Sequence, residues 1–221
     1  MLVRVWDAPT RLFHWALAAC FVGLIVTSQL GGGAMVWHFR FGYGILSLLL
    51  FRLVWGVLGG HWSRFATFLV GPRDVWRYLH GKGLPHHGVG HNPLGALSVV
   101  AMLIFLALQV TSGLMSDDEI ANAGPLTRFV SSAWVGNATY YHKAIGKYIL
   151  LALVALHLSA IAYYFFGKKE NLVKPMLTGD KTLAFAAPNA CDSGSERSRA
   201  VLIFLVCLSL VSGTVMALGG W

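Results

Sequence analysis

Four long stretches of the chain contain no Asp, Glu, Lys or Arg: Leu12 to Phe39, Gly83 to Ser116, Tyr148 to Gly167, and Ala200 to Trp221. Each is dense in Leu, Val, Ile, Ala and Phe, and an apolar run of about 20 residues crosses a bilayer as a helix. The first stretch is too long for one span and is cut by Gly31-Gly32-Gly33, which favours a turn. The pattern predicts five helices, over residues 11–30, 37–58, 92–115, 141–166 and 200–219. Pro93 falls in the first turn of the third, where its missing N–H costs nothing. Arg4 and Arg11 ahead of an apolar run resemble a secretory signal, and Leu17-Ala18-Ala19-Cys20 resembles a lipoprotein cleavage box. The apolar stretch continues well past Cys20, so the segment is expected to stay in the protein as its first span.

Composition agrees with that reading. Hydrophobic residues make up 56% of the 221 and charged residues 12%, against about 25% charged in soluble domains. Disorder is excluded, and too little polar surface remains for a water-soluble enzyme. Cys20, Cys191 and Cys207 form no CxxC pair, which removes disulfide scaffolds, thiolate zinc sites and covalent c-type haem attachment. The formal charge of +8 reflects topology rather than nucleic-acid binding. Arg4, Arg11, Arg64, Arg73, Arg77, Lys82, Lys168, Lys169, Lys174, Lys181, Arg197 and Arg199 all fall on one side of the five spans. Only Arg40, Arg128, Lys143 and Lys147 fall on the other, beside Asp117-Asp118-Glu119. The positive-inside rule then makes the N-terminus cytoplasmic, as expected for a bacterial inner-membrane protein. Trp37, Trp62, Trp134, Tyr140, Tyr141 and Trp221 sit near span ends, as interfacial aromatics do. Pro72–Leu79, with Arg73, Trp76, Arg77 and Tyr78, can lie flat on anionic membrane lipid.

Ionisable side chains inside a membrane are costly and mark function by default. His14 opens the first span on the cytoplasmic side, His38 the second and His142 the fourth on the outside. His157 lies fifteen residues beyond His142, about 22 Å along the same helix and on roughly the same face. Depth therefore pairs His38 with His142 and His14 with His157. A planar macrocycle with an imidazole on each side is the simplest occupant, since haem iron takes histidine axial ligands and ligation satisfies the buried ring. Gly42 and Gly146 follow His38 and His142 by one turn and leave room for a flat ring. Interhelical hydrogen bonding by the histidines, and helix packing by the small residues, are the alternative readings. Zinc fits less well, because only two histidines meet at each level and no carboxylate lies in a span.

Arg52, about 21 Å beyond His38 on its helix, reaches the cytoplasmic level, where it either pairs with a haem propionate or snorkels to the interface. Arg40, Lys143 and Lys147 either offset outer propionates or are solvated. His91, in HNPLG, is a candidate to replace His14 or His157 or to hydrogen-bond a quinone or propionate, and ranks as a substrate-side residue. Arg11 joins it and Arg52 as a quinone-side candidate. His61, His80, His86 and His87 read as solvated loop histidines.

The string VRVWDAPTRLFHW, GHNPLGA at 90–96, GPL at 124–126, the paired histidines 142 and 157, and NLVKPMLTGDK at 171–181 resembles the prokaryotic cytochrome b561 family. That family is related to the b-type cytochrome subunits of nickel–iron hydrogenases. The resemblance implies an all-α membrane protein: a four-helix transmembrane bundle holding two haem b groups over residues 1–181, with His14, His38, His142 and His157 at the ligand positions. A linker (182–199) and an additional C-terminal transmembrane helix (200–221) lie beyond that core. Expected function is electron transfer between the quinone pool, with ubiquinone as candidate, and an extracytoplasmic redox partner such as a c-type cytochrome, dehydrogenase or hydrogenase. Two alternatives stand beside it. One is a self-contained superoxide:ubiquinone oxidoreductase, with Arg40, Lys143 and Lys147 steering the anion. The other is a haem-bearing membrane anchor whose haems do not turn over.

Overall fold

The computed structural model describes residues 1–219, apart from the side chains of Pro85 and His86. Trp221 and the side chain of His86 therefore lie outside the described residues. Five helices are long and apolar enough to cross a membrane, and the chain is a multi-pass membrane protein. They are α1 (Ala8–Leu30), α2 (Met35–Leu58), α4 (Pro93–Leu114), α5 (Ser132–Phe166) and α6 (Gly194–Ala217). A short amphipathic α3 (Pro72–Leu79) lies between the second and third of these.

Local chemistry sets the ends. Asp7 caps α1, its Oδ1 accepting the Thr10 N–H at 2.8 Å, and Asn92 does the same for Gly95 at the start of α4. The α1–α2 turn needs Gly31 and Gly32, whose φ values of 62° and 51° a side chain would resist. Two helices start well over a turn earlier than expected. Helix α5 begins at Ser132 rather than 141, because Ser131 caps it by accepting the Trp134 N–H and the first turns are too polar to show in the apolar pattern. Helix α6 begins at Gly194 rather than 200. Ser193 and Glu196 stand three apart at its start, as in a capping box, and the Ser193 hydroxyl accepts the Glu196 N–H at 3.3 Å. Within α5, Tyr141–Gly146 is wound as a π-helix.

The chain divides into two compact units. The first gathers Met1–His14, Arg52–Ala101 and Val154–Leu202. Its core joins Val3, Val5, Trp6, Trp62, Val89, Leu183 and Ala190. A two-stranded antiparallel sheet, which the pattern did not announce, pairs β1 (Leu2–Arg4) with β2 (Asp180–Thr182). The stretch after β2 is tied down by several contacts. The Trp62 indole donates to Pro188 O at 2.7 Å, and the Asp192 carboxylate bridges Arg4 at 2.6 Å and Arg197 at 2.9 Å. The second unit gathers Trp15–Phe51, Met102–Leu153 and the chain from Ile203 onward. Its core consists of Ile45, Leu49, Leu106, Val110 and Leu150, with Tyr43, Val211 and Val215 forming a second cluster. Leu108 of α4, Leu156 of α5 and Leu205 and Leu210 of α6 stay exposed, as surfaces facing hydrocarbon do.

Candidate functional site

In the second unit, His38 of α2 and His142 of α5 face each other with ring centroids 6.2 Å apart and planes at 83°. Each imidazole is held from behind. His38 Nδ1 lies 3.1 Å from Leu24 O and 3.3 Å from the Thr27 hydroxyl. His142 Nδ1 lies 2.9 Å from Gln109 O and 3.3 Å from the Ser112 hydroxyl. A carbonyl oxygen only accepts, so both Nδ1 atoms carry the proton and both Nε2 lone pairs are free for a metal. Such backing by a carbonyl is what metal-ligating histidines use to set tautomer and ring angle.

The spacing tests whether haem fits. A metal–imidazole bond of about 2.0 Å, plus ~1.1 Å from nitrogen to ring centre, puts two axial ring centres roughly 6.2 Å apart. The observed 6.2 Å matches, whereas direct ring stacking would tolerate any centroid distance of about 4.5–7 Å. In the first unit, His14 of α1 and His157 of α5 stand 6.4 Å apart at 53°, the same separation. Among the described residues, no three His, Cys, Asp or Glu side chains gather as a compact metal cluster would require. Two histidines per level suit a macrocycle that supplies its own equatorial nitrogens.

The first unit also contains three further expected residues, Arg52, His91 and Arg11. Arg52 is 3% exposed, with its guanidinium carbon 4.6 Å over the Phe65 ring and Nη1 lacking a hydrogen-bond partner. His91 lies between Trp6 and Phe68, each ring centroid 4.7 Å away, and its buried Nδ1 also lacks a partner. Burial pushes the His91 imidazole down to about 3, and the charges of Arg52, His157 and His14 push the same way. It is therefore a neutral ring beside a buried cation. Arg11 is otherwise engaged. Its Nη1 donates to Leu177 O and its Nη2 lies 3.9 Å from Asp192, leaving only the buried Nε unpartnered.

In the second unit, Arg40 is exposed with its guanidinium 4.8 Å over the Trp37 ring, Lys143 is exposed, and Lys147 lies 4.8 Å over Tyr148. The two glycines part company. A Cβ on Gly42 would meet nothing within 4 Å, so room for a flat ring exists there. A Cβ on Gly146 would strike Gln109 Oε1 and the Tyr141 ring, so that glycine serves contact with α4. His87, expected in solvent, is buried, and its Nδ1 accepts the Leu84 N–H at 3.1 Å. His80 is exposed, as expected.

Sequence reasoning passed over Asp7, Thr27, Gln109, Ser112 and Gly113. Asp7 is fully buried and accepts from Thr10 N, Trp55 Nε1 (3.2 Å), Gly60 N (3.1 Å) and Ser63 Oγ (2.8 Å). The signals were present: a carboxylate set among apolar residues at a helix start, and a lone amide in the mostly apolar α4.

Fold and site together define a multi-span membrane protein whose spans bring histidines together in facing pairs. Residues 5–179 match the family model described as prokaryotic cytochrome b561, and the chain belongs to that family. It is also similar to proteins named probable Ni/Fe-hydrogenase B-type cytochrome subunit. The one from Bradyrhizobium diazoefficiens is 24% identical over 213 residues, covering 81% of this chain and 85% of the relative. That from Azotobacter chroococcum is 26% identical over 214 residues, covering 80% and 87%. That from Escherichia coli K12 is 24% identical over 218 residues, covering 82% and 91%. No solved structure matches the chain.

Proposed function

We propose that the protein is a di-haem b-type cytochrome of the inner membrane, carrying electrons between the quinone pool and an extracytoplasmic redox protein, with its N-terminus in the cytoplasm. The observation that carries this reading is the pair of facing imidazole sets, 6.2 Å and 6.4 Å between ring centres. Haem iron bound there supplies one-electron redox chemistry. His38 and His142 would hold one haem and His14 and His157 the other. The carbonyls of Leu24 and Gln109 keep the first pair's Nε2 atoms bare for ligation. Gly42 leaves space beside the ring. The names of the relatives support a hydrogenase as the class of redox partner.

The quinone, with ubiquinone as candidate, is assigned to the unit that contains Arg52 and His91. Both present a buried nitrogen without a protein partner, next to the apolar rings of Phe65, Phe68 and Trp6. A quinone site needs such an apolar slot with a few placed polar groups. A neutral His91 can donate to a carbonyl oxygen, and Arg52 offsets negative charge arriving on it.

The test is cofactor counting on purified protein and single-histidine variants. Wild type should hold two non-covalent haems per chain by pyridine haemochrome, low-spin in both oxidation states. His38→Ala and His142→Ala should lose the same haem, and His14→Ala and His157→Ala the other. One haem per chain in wild type, or loss of a low-spin haem in His91→Ala with both retained in His14→Ala, refutes the assignment. Rapid reduction of the haems by quinol separates this function from a passive anchor, and superoxide consumption with quinone as acceptor would favour the self-contained enzyme.

A further inference from the structure

We infer that Gln109 is the positioning residue of His142, fixing its backbone register and the direction of its ring from a neighbouring helix. The inference rests on the reading of His142 as a haem ligand and goes beyond it. Gln109 holds His142 at two points. Its side-chain Nε2 donates to His142 O at 3.0 Å, and its own backbone carbonyl accepts the His142 Nδ1–H at 2.9 Å. One residue therefore binds both the main chain and the imidazole of the other.

Both helices are shaped for this contact. His142 lies within the π-helical turn Tyr141–Gly146. A π-turn replaces the i→i+4 bonds of the α-helix with longer i→i+5 ones, is rare, and recurs where a side chain must be re-aimed. Carbonyls in such a turn are poorly matched to the flanking α-helical ladder, and the Gln109 amide supplies one of them with a donor from outside the helix. On α4, a Cβ at Gly113 would come within 2.7 Å of His142 Cε1, so glycine lets the backbone approach the imidazole. On α5, a Cβ at Gly146 would strike Gln109 Oε1, so glycine admits the amide. The two glycines clear the two ends of the same contact. Gln109 is also the one amide side chain of α4; an amide in a membrane span is costly, and here the bond to His142 O offsets the N–H side while the buried Oε1 has no partner.

The consequence is directional. With Nδ1–H committed to Gln109 O, Nε2 of His142 is left free, and the two ring planes stand at 83°. The mutual angle of axial imidazole planes sets the anisotropy of a low-spin haem's EPR signal, and near-perpendicular planes give a large gmax. Releasing the grip frees the π-turn to relax and the His142 ring to turn.

Gln109→Met keeps the length and removes the donor, whereas Gln109→Glu, protonated when buried, keeps a donor at the same reach. In purified protein in detergent, Gln109→Met should shift gmax and the midpoint potential of one haem, or lose that haem, and leave the other unchanged. Amide exchange over residues 141–147 should be about fivefold faster, the scale of one lost hydrogen bond. Gln109→Glu should move each readout back toward wild type. Unchanged gmax, potential and exchange in Gln109→Met overturn the inference, as does an equal disturbance of both haems. His142→Ala separates this from the ligand reading: if it keeps both haems, His142 is no ligand, and exchange over 141–147 still decides whether Gln109 holds the π-turn.

Discussion

Asp7→Ala is the substitution for which the structure sets the firmest magnitude. The carboxylate is fully buried, and its two oxygens accept from Thr10 N, Trp55 Nε1, Gly60 N and Ser63 Oγ, at 2.8, 3.2, 3.1 and 2.8 Å. It ties the first turn of α1 to the end of α2 and the turn beyond it. Gly60 is part of the device, since a Cβ there would lie 2.6 Å from Asp7 Oδ2. Removing the carboxylate strands four donors, each worth about 1–3 kcal/mol when left buried and unmade. Repacking and water entry recover part of this, so the expected loss is about 3–5 kcal/mol, the range for breaking a buried charged network. Asp7→Asn retains one oxygen but turns an N–H₂ toward other donors, for a loss of about 2 kcal/mol. At roughly 2–4 °C per kcal/mol for a chain of this length, Asp7→Ala should melt about 6–20 °C below wild type. Near-UV circular dichroism in detergent on heating measures the shift. Because His14 lies two turns beyond Asp7 in the chain, the haem proposed for the His14–His157 pair should be released first. An Asp7→Ala variant melting within about 2 °C of wild type would refute the reasoning.

Two further expectations concern the first unit. Burial pushes the Asp192 carboxyl up, but hydrogen bonds from Arg197, Ala8 N and Arg4 outweigh it and hold the group at about 2, below its ordinary 3.8. A depressed carboxyl stabilises the fold above its unfolded value and loses that contribution as pH falls, so about 1–2 kcal/mol should disappear between about pH 4 and pH 2. Melting temperature against pH should show the step in wild type, and its persistence in Asp192→Asn would contradict the assignment. In stopped-flow reduction by quinol analogues, Arg52→Ala and His91→Ala should each slow the reaction about tenfold with haem content unchanged, the loss of one hydrogen bond to a buried partner. If only changes at Arg40, Tyr141 or Lys143 slow it, the quinone site belongs to the second unit.

Much of this molecule was legible in its residue order because a membrane imposes one rule at a time. Charge-poor apolar runs predicted every span, Arg40 and Arg52 of α2 being the exceptions that mark candidate function, since hydrocarbon tolerates neither unpaired charges nor unpaired backbone. The side on which each span opens, with the helical rise, matched His38 with His142 and His14 with His157, because a helix converts sequence separation into depth. The starts of α5 and α6 escaped, as their first turns are polar and are announced only by the caps Ser131 and Ser193. What tertiary structure decided are the contacts between elements far apart in the chain. β1 pairs with β2 across most of the sequence, Asp192 holds Arg4, and Asp7 reaches Gly60 and Ser63. Gly42 and Gly146 look equivalent in the sequence, one turn after a histidine each. Only the packing shows that one borders open space and the other receives Gln109. A residue's periodicity states which face of its helix it occupies, but what that face meets depends on where the neighbouring helices settle, and that is fixed by side-chain packing rather than by spacing along the chain.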